Sequence, residues 1–246
     1  GNVINGYLVD VRRTGWDMLK WEGEGLPELP ELPRDDDALR ADAHRLCQFP
    51  PGERELAYQD FQFGAHWERG ERRIAERAAL LGFHPRPGDV VLEVGCQAGG
   101  FLQLAWEQTA GAGTFLGVEL LADYIAVGQR LARRNRQNLC FRRLNAVTER
   151  AALLAWIGER CPGRVDHLLL LSMEKHLGEA ALFDLVDAIA ARSTYIETNA
   201  VAVDSGAGAP PEGAMKLFPE VRRRGGVHVG DSRDRNLRRL YRIERH

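Results

Sequence analysis

The run Ser172-Met173-Glu174-Lys175-His176 packs an unusual density of proton-handling and polar groups into one short stretch. A histidine has an ordinary pKa of about 6.5, so His176 can take a proton at neutral pH, and Glu174 can orient its ring or bind a cationic acceptor. His176 and Glu174 are therefore the expected catalytic residues for a transfer whose acceptor, a hydroxyl or a protonated amine, must lose a proton. A second account gives His176 a backbone bond at a helix start and leaves Glu174 and Lys175 in solvent. The other chemistry-bearing stretch is VVLEVGCQAGGFLQL, residues 90–104, where a glycine-rich turn joins an apolar run to a helical pattern. Such a turn sets backbone N–H groups and the positive end of a helix against a ligand, which suits a nucleoside-bearing cofactor. About twenty residues past the turn, the apolar run 114–118 ends in Glu119, placed as the acid that accepts hydrogen bonds from ribose hydroxyls in doubly wound sheets.

Those groups need a regular scaffold, and the periodicity supplies one. Val90, Val91, Leu92 and Val94 suit a strand buried on both faces, and Phe101, Leu102, Leu104 and Ala105 recur at helical spacing. Further strands are expected over 139–144, 165–171 and 193–198, alternating with helices over 121–134, 151–159 and 177–191. This alternation implies an α/β fold with a doubly wound, mostly parallel sheet. The most apolar strand, VDHLLLL, belongs at its centre beside the first strand, so Ser172 to His176 face the reacting atoms. Glu197 and Asn199 end the next strand and are expected acceptor contacts, with loop capping an equal alternative. A helix over 214–224 and a terminal strand pair, 226–230 and 239–243, close the chain, with a loop over 204–213 before them.

Residues 1–67 read as an amino-terminal extension or lid, and 68–246 as the cofactor-binding domain. The extension holds a hairpin signal at Asn5-Gly6, a proline-rich linker over 22–37 and a short helix over 38–49 ended by Pro50-Pro51. Four aromatics then fall within ten residues, Tyr58, Phe61, Phe63 and Trp67, ahead of a strongly helical 68–81. Tyr58 and Phe63 are the expected acceptor contacts of such a lid; the competing account has these rings fastening the extension to the sheet.

The string E-x-G-x-x-x-G-G made by Glu93, Gly95, Gly99 and Gly100 resembles motif I of the class I S-adenosylmethionine-dependent methyltransferases. The resemblance covers residues 68–246 and implies a seven-stranded Rossmann-like sheet with an antiparallel final strand. It implies S-adenosylmethionine as cofactor and S-adenosylhomocysteine as product. Glu93 and the turn Gly95, Cys96, Gln97 and Gly99 would hold the amino acid end, and Glu119 with Leu120 the ribose. Asn145 stands where the family often has an acid that bonds the adenine amino group, and its amide oxygen can accept the same bond. Ala146 and Ser172 complete the expected cofactor set. LLLLSMEKHLGE resembles the motif IV region of small-molecule and some RNA methyltransferases, and GDSRDRNLRRLYRIER the carboxyl end of uncharacterised bacterial members.

At 246 residues and 44% hydrophobic content the chain can bury a full core. Its net charge of -2 gives no global pull toward nucleic acid or membrane. Arginines cluster on the 121–134 helix and in the tail, from Arg222 to Arg245, and solvated surface residues account for them better than an RNA stripe. Cys47, Cys96, Cys140 and Cys161 lack metal-ligand spacing and read as buried thiols, so no metal is expected. No apolar run reaches the ~20 residues of a membrane span, the first residues lack a secretory pattern, and a cytoplasmic location is expected. Gln97, where a dinucleotide fingerprint needs glycine, argues against NAD or FAD, and the missing N/D-P-P-Y/F argues against DNA bases. The expected activity is methyl transfer from S-adenosylmethionine to the oxygen or nitrogen of a small-molecule acceptor. RNA methylation and a catalytically inactive S-adenosylmethionine-binding module are the alternatives.

Overall fold

The computed structural model describes residues 2–4, 7–10, 17–19, 36–46, 56–198, 217–232 and 238–245. Strands β1 (Asn2–Ile4), β2 (Tyr7–Asp10) and β3 (Asp17–Leu19) pair antiparallel in a small sheet. Ile4 stands opposite Tyr7, the register that a hairpin through Asn5-Gly6 requires. Helix α1 (Asp36–Leu46) carries Asp36 and Asp37 in its first turn, where carboxylates complement the helix dipole. Most of the 22–37 linker, Cys47, Pro50-Pro51 and the 204–213 loop lie outside the described residues.

Four short strands follow: β4 (Ala57–Gln59), β5 (Phe61–Phe63), β6 (His66–Glu68) and β7 (Gly70–Arg72). β4 pairs with β7 in parallel and β5 with β6 antiparallel. The helix expected over 68–81 therefore starts only at α2 (Ile74–Leu81). The cause is tertiary. A Cβ on Gly70 would lie 2.2 Å from the backbone carbonyl carbon of Gln59, an approach that only glycine permits. Asp60 then fixes the corner, its carboxylate accepting the N–H of Gly70 (2.8 Å) and of Ile74 at the start of α2 (3.0 Å). The outcome is that Arg72 sits at a strand end, not on a helix face.

The main unit runs β8 (Val90–Val94), α3 (Gly100–Gln108), β9 (Thr114–Glu119), α4 (Ala122–Arg134), β10 (Leu139–Arg143), α5 (Arg150–Arg160) and β11 (His167–Leu171). It continues with α6 (Glu174–Leu177), α7 (Glu179–Ile189), β12 (Ser193–Glu197), α8 (Phe218–Arg223), β13 (Val227–Ser232) and β14 (Arg238–Glu244). The single helix expected over 177–191 is thus two, parted at Gly178. The seven strands lie in the order β10-β9-β8-β11-β12-β14-β13, and only β14 runs against the others. This is the doubly wound, mostly parallel sheet that the alternation implies, and its order reverses between β8 and β11.

Strand alternation sorts the core onto two faces. Leu92, Leu116, Leu168, Leu170 and Ile196 pack with Trp156 of α5, Phe183 of α7 and Val221 of α8. Val91, Phe115, Leu169, Tyr195 and Leu240 pack on the other face with Leu81 of α2 and Phe101 and Leu102 of α3. Counting by twos along β8, β9 and β12 puts Glu93, Glu119 and Glu197 on this second face, at the carboxyl ends of their strands. At the opposite end, buried His167 is held between Asp89 (Nε2 to Oδ2, 2.8 Å) and the Tyr195 hydroxyl (Nδ1 to oxygen, 3.1 Å). Among the described residues no helix is long and apolar enough to cross a membrane, and no group of three His, Cys, Asp or Glu side chains could hold a metal ion.

Candidate functional site

The turn after β8 is built by left-handed backbone at Gly95 (φ 76°) and Gly99 (φ 82°), which costs glycine little. The N–H groups of Gly95 and Cys96 donate to the Val118 carbonyl at 2.8 and 3.1 Å, which lashes the turn to the end of β9. Glu119 then folds its carboxylate onto that turn. Oε2 accepts the Gln97 N–H at 3.0 Å, and Oε1 accepts the N–H groups of Leu120 at 2.7 Å and Leu121 at 3.1 Å. A carboxylate offers about four acceptor positions, so one remains for an incoming donor. Burial pushes the Glu119 carboxyl up from its ordinary value, against the pull of the three N–H groups.

Glu93, one strand over, is 3% exposed, and its Oε2 is buried with no hydrogen-bond partner. Burial pushes its carboxyl well above the usual range, opposed by Arg77 and reinforced by Glu119. The space over the turn is closely walled. A Cβ on Gly95 would lie 2.1 Å from Met173 Sδ, and one on Gly99 would lie 2.7 Å from the Phe141 ring.

The rest of the expected cofactor set divides. Leu120 holds its N–H on Glu119 and its carbonyl on Arg143 Nε (3.3 Å). Cys96 turns its thiol beneath the turn, toward Gly117 and the core, where burial raises its pKa. Asn145 Oδ1 accepts the N–H groups of Val147 (3.0 Å) and Thr148 (3.1 Å), so the oxygen expected at the adenine is engaged in a local turn. Ala146 packs into the core beside α5 and α7. Of the expected catalytic pair, His176 is half-buried on α6 with its backbone N–H on the Met173 carbonyl (3.0 Å). The charge of Glu174 reaches Tyr241, on the face opposite Glu197.

Of the aromatics expected in a lid, Phe63 is corrected by the structure. Phe63 does not face the site: it is 4% exposed, packs among Leu39, Ala43, Val127 and Leu131, and carries the guanidinium groups of Arg40 (4.5 Å) and Arg134 (5.3 Å) over its ring. Phe61 sits in the same cluster, and Trp67 donates to Glu107 at 2.9 Å. Asn199 lies outside the described residues.

Tyr58, Ser172 and Glu197 do converge, around three arginines that sequence reasoning missed. Glu197 is wholly buried and accepts from Arg72 and from Arg77, the latter at 2.6 and 3.2 Å. Ser172 donates to Glu197 Oε2 (3.0 Å) and accepts from Arg238 (2.5 Å) and Arg72 (3.3 Å). The Tyr58 hydroxyl accepts from Arg72 (2.9 Å) and Arg238 (3.2 Å). Burial resists ionisation of Glu197, yet the three cations win and hold its carboxyl far below the usual range. The same contest lowers the Tyr58 phenol. Ser172, expected at the cofactor, is thus part of this cluster, at the mouth of the reversal between β8 and β11. Arg77 joins the two halves, bonded to Glu197 and acting on Glu93. Arg72 was hidden within an expected helix and Arg238 among tail arginines assigned to the surface; neither carries a motif that could have singled it out.

No family model matches the chain, and no curated protein matches it by sequence. Solved structures do match in shape. Fibrillarin from Aeropyrum pernix, in complex with natively bound S-adenosyl-L-methionine, aligns at TM-score 0.53 and 16% identity over 81% of this chain and 87% of that one. The N-terminal domain of EvdMO1, with S-adenosylhomocysteine bound, aligns at TM-score 0.47 and 14% identity over 70% of this chain and 79% of that one. With its seven-stranded sheet, antiparallel β14 and this likeness in shape, the chain has the Rossmann-like fold of the class I S-adenosylmethionine-dependent methyltransferases.

Proposed function

We propose that this protein transfers the methyl group of S-adenosylmethionine to an oxygen or nitrogen of a small-molecule acceptor. The observation that carries the reading is the Glu119 carboxylate, lodged against the Gly95–Gly99 turn with one acceptor position left for a ribose hydroxyl. The residues fit the cofactor. Buried Oε2 of Glu93 lacks a donor, and the α-ammonium of the cofactor's amino acid end is such a donor. Gly95 and Gly99 leave the backbone uncovered by side chains of their own, so a ligand can lie directly on the turn once Met173 and Phe141 yield. When bound, S-adenosylmethionine supplies an electrophilic methyl on a sulfonium.

What the chain must add is alignment and proton removal. Ser172 and His176 follow the strand that flanks the order reversal, and His176 is the proposed base for an acceptor that carries a proton. The acceptor reading favours a small molecule over RNA because several of the described tail arginines are engaged within the protein. Arg224 pairs with Asp187 and Glu220, Arg245 with Asp187, and Arg239 with Asp231. The test is calorimetry with S-adenosylmethionine, S-adenosylhomocysteine and NADH. Binding of the first two alone is expected, and Glu119→Gln should weaken it roughly tenfold or more, the cost of a hydrogen bond to a charged group. Retention of RNA at low salt would move the acceptor to RNA, and binding of NADH alone would end the methyltransferase reading.

A further inference from the structure

We propose that Arg238, Arg72 and Tyr58 form an anion-binding subsite that receives a carboxylate or phosphate group of the acceptor. The inference rests on the methyl-transfer reading for the word acceptor, but the subsite itself stands on charge and geometry. Three guanidinium groups meet in one cluster, and Glu197 forms ion pairs with two of them, those of Arg72 and Arg77. Glu197 is spent on Arg72 and Arg77. Among the described residues Arg238 bonds neutral oxygens: Ser172 Oγ, the Thr198 carbonyl at 3.4 Å and the Tyr58 hydroxyl.

A guanidinium taken out of water keeps its charge and strongly favours an anionic partner. Burial and the neighbouring Arg72 charge both act against the cationic form of Arg238, which defines a site where negative charge would be taken up. The cluster also opens in the required direction. Arg72, Arg77 and Glu197 are closed off from solvent, whereas Tyr58, Ser172 and Arg238 are each half-buried, so an entering anion meets these three before Arg72. The position is right for an acceptor, because Ser172 follows β11, which borders the order reversal, Glu197 ends the adjoining β12, and Arg77 reaches from Glu197 toward Glu93 in the cofactor half. A planar guanidinium binds carboxylate or phosphate oxygens in pairs, and either group answers this chemistry.

The test uses the full chain and two probes, inorganic phosphate and acetate, titrated by calorimetry with and without saturating S-adenosylhomocysteine. Saturable binding of one equivalent of either probe is expected, and phosphate alone or acetate alone identifies which acid group the site prefers. Arg238→Gln should weaken that binding about tenfold or more, and Arg238→Lys less. Thermal melting of both variants controls for folding; Glu197 keeps its bonds to Arg72 and Arg77 in both, so each should melt near the parent. Anion binding that is absent, or unchanged in Arg238→Gln, overturns the subsite. If S-adenosylhomocysteine binds in that same experiment, the methyl-transfer reading survives; if the anion binds and S-adenosylhomocysteine does not, the subsite survives and that reading fails.

Discussion

Replacing Glu197 by Gln should unfold this protein at a much lower temperature while changing no side-chain volume. The carboxylate is wholly buried and is bonded by Arg72, Arg77 and Ser172. Gln retains one oxygen acceptor but brings an NH₂ group to face cations and removes the charge that offsets them. Removing one partner of a buried ion pair costs about 3–5 kcal/mol because the other charge stays buried and unpaired. For a domain of this size each kcal/mol lowers Tm by about 2–4 °C, so a fall of roughly 6–20 °C is expected. The pH dependence has a fixed sign. The folded carboxyl is held far below its ordinary value, so its stabilisation is complete above that value, about 4.3, and fades as pH drops below it. The gap between parent and variant should therefore be full at pH 7 and narrow progressively below pH ~4. Differential scanning calorimetry of both chains from pH 3 to pH 8 measures this. A Tm change under ~2 °C at pH 7, or a gap that widens in acid, would refute the reasoning.

Four further outcomes are expected. Gly70→Ala should destabilise the fold by ~1–3 kcal/mol or more in urea titration, since its Cβ would meet rigid Gln59 backbone at 2.2 Å. The cofactor should bind with release of a proton: burial keeps Glu93 protonated above the usual range, and an arriving ammonium favours the ionised form. Calorimetry in buffers of different ionisation enthalpy reads that proton directly. In the free protein the same raised carboxyl makes stability decline as pH climbs past the ordinary glutamate value, because the folded state then holds the extra proton. His176→Ala should cut turnover by ~10²-fold or more if this residue removes the acceptor's proton, and steady-state kinetics with unchanged kcat would leave alignment as its only role.

The sheet was legible because its signals are local. VVLEV and HLLLL are short apolar runs, and Glu119 follows its strand at the spacing of a ribose-binding acid. The glycine turn was legible for the same reason. The cluster around Glu197 was not, because it joins residues as far apart as Tyr58 and Arg238 through bonds that no spacing rule predicts. Residues 68–72 misled in a third way: their composition is helical, but the packing of Gly70 on Gln59 and the reach of Asp60 hold them extended. Phe63 resembled a lid residue only because aromatic density does not reveal which side of a hairpin a ring takes.

The interior place of β14 gives the sheet an unusual order of completion. β13 precedes it in the chain yet is bonded, among the described strands, to β14 alone, so a nascent β13 leaves the ribosome with no described strand to zip against until β14 arrives. The same docking event seats Arg238, at the first position of β14, next to Tyr58. Maturation of the cluster is thereby tied to closure of the sheet, and a chain halted before β14 would own the glycine turn but lack its outermost cation.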